Sequence, residues 1–235
     1  MPQTQTTAPA PQAAKPKPAP PPVPPPEFME GDIARMDGPA LLAVLNDSGA
    51  SEFKKAKACQ RIGEAGFKEA VPALVALLSD DHLSTYARYG LEPIANPSVD
   101  DALRAALPRL KGKYLIGVIN SISKRRDAKA TPALVKLMHE QDVETARAAA
   151  SAIGHIGGLT AVRDLRAALP KTQGAVRVAV ADACLVCAER LLSEGKRDDA
   201  LALYASMTAA DIPKPVRLAA MQGIVREETS LERPR

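Results

Sequence analysis

Residues 53–78 read FKKAKACQRIGEAGFKEAVPALVALL, and this stretch decides the fold. Apolar residues recur at three- and four-residue intervals up to Ile62 and again around Leu74. This spacing is typical of two amphipathic helices. Gly63 and Gly66 lie between them, and glycine readily adopts the positive φ that ends a helix. The stretch therefore predicts a helical hairpin.

The same pattern returns at residues 118–138 and 149–165, where Gly154, Gly157 and Gly158 supply the turn of the last copy. In every copy, the isoleucine that closes the first helix precedes a leucine of the second helix by twelve positions. The pairs are Ile62 with Leu74, Ile122 with Leu134, and Ile153 with Leu165. One hairpin cannot bury both of its apolar faces, whereas a stack of hairpins can. The repeats therefore predict a solenoid.

The repeats also resemble a known family. The residues that carry the resemblance are Ala58-x-x-x-Ile62-Gly63, followed by Ala70-Val71-Pro72-Ala73-Leu74. They are similar to the HEAT repeat, in particular to its short form named after the phycobilisome lyases. With the counterparts at 118–137 and 149–165, the resemblance covers about residues 50–170. It implies an all-α fold, a right-handed α-α superhelix of the HEAT/armadillo-like α-solenoid type.

Two segments depart from this pattern. Pro93 falls inside an expected first helix, so we expect a kink or an early end there. Residues 181–214 are instead similar to a tetratricopeptide hairpin, with predicted helices at 176–193 and 197–208.

The chain divides by composition into two predicted parts. The first 26 residues hold 11 of the 21 prolines, which predicts a disordered Pro-rich tail over residues 1–28. Residues 29–235 are predicted to form a solenoid of about six helical hairpins, the last one incomplete. We therefore expect the C-terminal end to dock on a further domain or subunit, or the chain to be a fragment of a longer protein.

The overall composition narrows the function. The formal charge is +4 and the chain has no Trp, 3 Phe and 4 Tyr, which disfavours base stacking and aromatic-lined cofactor pockets. No apolar run approaches the roughly 18–20 residues of a membrane span. The N-terminus lacks the apolar core of a signal peptide. These features predict a cytoplasmic chain, or a periplasmic or extracellular one if a signal peptide has been removed.

No residue cluster predicts catalysis, a metal or a cofactor. Cys184 and Cys187 form a CxxC, but they fall within a predicted helix among apolar residues, which favours a structural role. His139-Glu140 is the dipeptide with which a di-iron hydroxylase of the HEAT family ligates metal; that site needs several copies, and this chain has one. The prediction is that the chain is not an enzyme and has no catalytic, cofactor-binding or metal-binding residues.

The leading hypothesis is a non-catalytic scaffold or adaptor that binds another protein on its concave surface, which second helices usually line. The predicted partner contacts are polar positions on those helices. They are Arg104, Lys136, Arg163 and Arg166.

Two alternatives stay open. Eight cations lie between Arg104 and Lys129 against a single acid, Asp127, which predicts a nucleic-acid or polyanion interface. That patch adds to Arg104 the residues Arg109, Lys111, Lys113, Lys124, Arg125, Arg126 and Lys129. The resemblance also implies a lyase or isomerase of the phycobilisome-lyase type, for which the sequence offers no placed nucleophile or acid.

Overall fold

A computed structural model describes residues 33–209 and 212–231. Within these ranges the secondary structure is helical and contains no strand. The α-helices are α1 (Gly38–Asn46), α2 (Glu52–Ala65), α3 (Val71–Ala76), α4 (Ser84–Leu91), α5 (Pro97–Ala106), α6 (Gly112–Arg125), α7 (Thr131–Met138), α8 (Val143–Ile156), α9 (Gly158–Ala168), α10 (Gly174–Ser193), α11 (Arg197–Ala205) and α12 (Lys214–Leu231). The all-α solenoid predicted from the repeats is confirmed.

The helices form two layers. The first helices α2, α4, α6, α8, α10 and α12 each pack on the next in order. The second helices lie on the other side, and each packs against the first helix that follows it, as α7 does against α8 and α9 against α10. The isoleucines and leucines of the twelve-residue offset are all completely buried between the layers.

Local sequence sets where the helices begin and end. The side chains of Asp37, Ser51 and Asn96 accept hydrogen bonds from backbone amides of the helices that follow them, as N-caps do. Gly66 ends α2 with a φ of 66°, so it supplies the positive φ that the sequence predicted for this turn. At the matching point after α6 stands Arg126, with a φ of 56°.

Gly63 and Gly154 do not lie in the turns where the sequence placed them. Both are inside first helices, where they let neighbouring backbones touch. A Cβ atom on Gly63 would lie 2.8 Å from the carbonyl oxygen of Gly90 in the next first helix. On Gly154 it would lie 2.9 Å from the Cα of Ala183. These glycines serve close packing rather than chain reversal.

The repeat pattern places Pro93 inside a first helix, but in the structure this helix, α4, ends before Pro93. Helix α4 stops at Leu91, because proline has no amide proton to continue the hydrogen-bond ladder. Ile94 still reaches the core and is 1% exposed. The expected early end is therefore observed.

The C-terminal hairpin consists of α10 and α11, close to the predicted bounds of 176–193 and 197–208. Tyr204 is buried and lies under Gly223 of α12, where a Cβ would come within 2.7 Å of its ring. The similarity of this hairpin to a tetratricopeptide repeat stays a prediction. The domain boundary at residue 28 and the number of hairpins also stay predictions. The predicted tail of residues 1–28 lies outside the described residues.

None of the helices in the described ranges combines the length and apolar character needed to cross a bilayer.

The close packing of first helices leads to a stability prediction. An alanine normally stabilises a helix by about 1 kcal/mol relative to glycine. Because a Cβ at Gly63 or Gly154 meets the backbone of the next helix, we expect Gly63→Ala and Gly154→Ala each to lower the free energy of unfolding by about 1–3 kcal/mol. Urea unfolding followed by circular dichroism measures this. Gln60→Ala, at an exposed position of α2, should change stability by less than about 0.5 kcal/mol. A higher midpoint for Gly63→Ala would contradict the packing argument.

Candidate functional site

The CxxC pair belongs to the core. Both thiols are buried in α10, and Cys187 Sγ donates to the carbonyl oxygen of Gly154 at 3.5 Å. Burial raises the pKa of Cys184 to about 12 and that of Cys187 to about 11. A thiol that stays protonated at neutral pH is a poor nucleophile and a poor metal ligand.

The four residues predicted to contact a partner lie in different environments. Arg104 of α5 forms ion pairs with Asp101 on its own helix and with Asp127 ahead of α7. Lys136 of α7 and Arg166 of α9 are exposed and form no ion pair within the described chain. Arg163 is 74% exposed and pairs with its neighbour Asp164 at 2.9 Å. Three of the four are therefore available at the surface of the second helices.

Half of the eight cations in the basic segment are neutralised by the preceding repeat or by the adjoining turn. Lys113 pairs with Asp81 at 2.7 Å and Lys124 with Glu92 at 2.7 Å. In both pairs the acid precedes the base by 32 residues, about one repeat. Arg104 and Arg125 are the other two paired cations.

Arg125 provides hydrogen-bond donors to backbone carbonyl groups that follow the early end of α4. Its guanidinium pairs with Asp100 and donates to the carbonyl oxygens of Glu92 and Ile94, both at 2.8 Å. The side chain is only 10% exposed. Arg125 therefore stabilises the contact between repeats and is not part of an open surface.

The remaining cations do not form one patch. Arg109 and Lys111 precede α6, whereas Arg126 and Lys129 follow it. Helix α6 has 14 residues, so about 21 Å of helix separates the two pairs. The structure thus divides the predicted polyanion interface into two small groups at opposite ends of one helix.

A groove that the sequence did not reveal crosses the outer faces of three consecutive first helices, α6, α8 and α10. Its volume is about 380 Å³. Asn120, Ser151 and Asp182 line it at intervals of 31 residues, so they occupy the same register position on successive helices. Ala148 and Ala179 occupy a second such position, and their small side chains leave the space between the helices open. The repeat therefore builds a row of polar groups across small residues.

We refer to this groove as the first-helix groove. Some of its charged side chains form ion pairs within the chain, and one does not. Arg147 pairs with Glu144 of its own helix at 3.0 Å. Among the described residues, Asp182 has no hydrogen-bond or ion-pair partner. The residue is exposed, but desolvation by its neighbours still raises the pKa of its carboxyl. Asp182 is the sole charged residue between Val178 and Ala188, and this signal in the sequence could have identified it.

The first-helix groove also brings together a serine, a histidine and an aspartate, namely Ser151, His155 and Asp182. Nδ1 of His155 lies 2.9 Å from the backbone carbonyl oxygen of Ser151, not from its hydroxyl. Within the described chain no hydrogen bond links the Ser151 hydroxyl to the ring. The arrangement lacks the base-to-nucleophile contact of a catalytic triad. Across residues 33–209 and 212–231, no three His, Cys, Asp or Glu side chains are grouped to hold a metal ion.

Comparison with protein families matches residues 126–157 to the armadillo/beta-catenin-like repeat. One repeat of the armadillo type is therefore present in the chain. The matched segment contains α7 and α8, a second helix and the first helix that packs on it. Comparison with the curated proteins finds no match.

Three solved structures are similar to this chain. Human deoxyhypusine hydroxylase in complex with glycerol is 20% identical, with 82% of this chain and 74% of that one covered and a TM-score of 0.41. An engineered protein is 16% identical over 85% of this chain and 97% of that one, with a TM-score of 0.44. The complex of CpcE and CpcF of phycocyanin lyase from Nostoc sp. PCC7120 is 17% identical over 87% and 81%, with a TM-score of 0.41.

These structures correct one prediction. Two of the three are named as enzymes, a hydroxylase and a lyase. The prediction that this chain is not an enzyme is therefore wrong as an exclusion, because a helical repeat without a familiar motif does not rule out catalysis. The low identities and TM-scores assign no activity to this chain.

The position of Arg125 predicts that it contributes to stability. Arg125→Ala would leave Asp100 and the carbonyl groups after α4 without their donor, so we expect a loss of about 2–4 kcal/mol in the free energy of unfolding. The neighbouring Arg126 is exposed, and Arg126→Ala should cost less than about 0.5 kcal/mol. Chemical unfolding of both variants measures the difference. Equal losses would mean that Arg125 has no special role.

The divided cations predict weak nucleic-acid binding. We expect fluorescence anisotropy to show a Kd weaker than about 10⁻⁴ M for a 20-base-pair DNA duplex at about 150 mM salt. Micromolar binding that is lost when Lys111→Ala and Lys129→Ala are combined would instead support the polyanion alternative.

Proposed function

We propose that the chain is a protein-binding α-solenoid and that the first-helix groove receives an extended segment of its partner. The observation that carries this proposal is the row of Asn120, Ser151 and Asp182 across three successive helices. A peptide lying across the helices would meet equivalent positions at regular intervals, because each repeat presents the same face.

The shape of the first-helix groove supports a polypeptide ligand over an enclosed small molecule. Its lining side chains lie on outward faces of the helices, and Val186 at one end is 38% exposed. Small-molecule pockets usually bury most of the ligand surface, whereas this groove leaves one side of its occupant in solvent. Exposed apolar side chains beside polar groups are the usual composition of a protein interface.

The second helices offer a different surface to a partner. Lys136, Arg163 and Arg166 are exposed on α7 and α9 and would suit an acidic segment. This remains a prediction, and the experiment below includes it as a separate arm.

Affinity capture with the whole chain tests the proposal. Immobilised wild type and variants are exposed to extract of the cells that produce the protein, and bound proteins are quantified by mass spectrometry. Ala179→Gln places a larger side chain in the first-helix groove, and Ala105→Gln makes the same change at an exposed position of α5. We expect at least one protein to be reduced about tenfold or more by Ala179→Gln, which corresponds to 1.4 kcal/mol, and to be unaffected by Ala105→Gln.

Other outcomes would contradict the proposal. If the combined variant Lys136→Glu, Arg163→Glu and Arg166→Glu loses the partner while Ala179→Gln retains it, the binding surface is the second-helix layer. If no protein is enriched by the wild type, protein binding itself is wrong. Thermal unfolding of each variant confirms that it is folded.

A further inference from the structure

We propose that the first-helix groove binds a basic side chain, lysine or arginine, of the partner segment and that Asp182 is its counter-charge. This inference rests on the proposed function and specifies the chemistry of the ligand. It follows from the charges, the apolar floor and the register of the groove.

The charges of the first-helix groove favour a cation. Asp182 has no partner among the described residues, whereas the positive charge of Arg147 is already paired with Glu144. On α6 the lining residues are Ile116 and Asn120, which carry no charge. An ammonium or guanidinium group would therefore meet one unpaired carboxylate and no unpaired cation in the lining of the groove.

The neighbours of Asp182 in the row complete the site. Ser151 and Asn120 occupy the same register position on α8 and α6, and their side-chain oxygens can accept hydrogen bonds. A guanidinium group has five N–H donors, so it can bind a carboxylate and still donate to a nearby hydroxyl or amide oxygen. A metal ion fits less well, because the described residues offer no group of three ligating side chains.

The apolar residues favour a cation on a long stem. Ala148, Ala179 and Ala183 line the first-helix groove together with Ile116 and Val186. The methylene groups of lysine or arginine can cover such a surface while the charged end reaches a polar partner. A small inorganic cation or a free amine would leave this apolar surface uncovered.

Peptide titration of the full chain tests the inference. The probe is acetyl-Ala-Ala-Arg-Ala-Ala-amide, and its matched control replaces arginine with citrulline, which has a similar shape but no charge. Backbone amide shifts of the ¹⁵N-labelled protein are followed by NMR at low salt. We expect the arginine peptide to shift amides of α8 and α10 around Ser151 and Asp182, and to bind about fivefold or more tightly than the citrulline peptide.

Two variants separate a specific contact from general electrostatics. Asp182→Asn should reduce binding of the arginine peptide to the citrulline level. It should remain folded, because Asp182 is exposed and forms no hydrogen bond or ion pair among the described residues. Asp198→Asn removes the same charge from an exposed position at the start of α11 and should leave binding unchanged.

Equal weakening by both variants, or no amide shifts with the arginine peptide at about 10 mM, would overturn the inference. The proposed function can survive that result. If Ala179→Gln still removes a captured protein while Asp182→Asn retains it, the first-helix groove binds a partner without a basic anchor.

Discussion

The structure depends on direct contact between the backbones of successive first helices. At Gly63 against Gly90, and at Gly154 against Ala183, no room remains for even a Cβ on the glycine without movement of the backbone opposite. Interiors packed to this density transmit any added volume to their neighbours. At these two crossings the first helix must therefore present a small residue, and this requirement sets how closely α2 approaches α4 and α8 approaches α10.

Charges pair across the junction between α4 and α6. Asp81, which precedes α4, pairs with Lys113, and Glu92, which follows α4, pairs with Lys124. Arg125 adds a different contact, because the early end of α4 leaves carbonyl groups that no backbone amide can reach. A departure from the repeat in one hairpin is thus stabilised by a side chain from the next.

The sequence predicted those features that depend on one hairpin at a time. The buried pairs such as Ile62 and Leu74, the turn at Gly66 and the early end before Pro93 all follow from local spacing and backbone chemistry. Features that depend on two hairpins were missed. The segment from Arg104 to Lys129 resembles a basic patch because its neutralising acids, Asp81, Glu92 and Asp100, lie earlier in the chain, before Arg104. Gly63 was likewise predicted to lie in a turn, because its contact with Gly90 of the next hairpin cannot be read from one hairpin alone.

The repeat of about 31 residues also accounts for the first-helix groove and for the position of Asp182 in it. Equivalent positions on α6, α8 and α10 carry an amide, a hydroxyl and a carboxylate, and the first two can be satisfied by water at little cost. The Asp182 carboxylate differs, because it is exposed toward the first-helix groove, is partly desolvated by its neighbours and meets no cation in the described chain. Asp81, Glu92 and Asp100 are each paired with a base from the following repeat. Asp182 has no such partner among the described residues and faces the open space of the first-helix groove, where the proposed basic side chain would supply the missing charge.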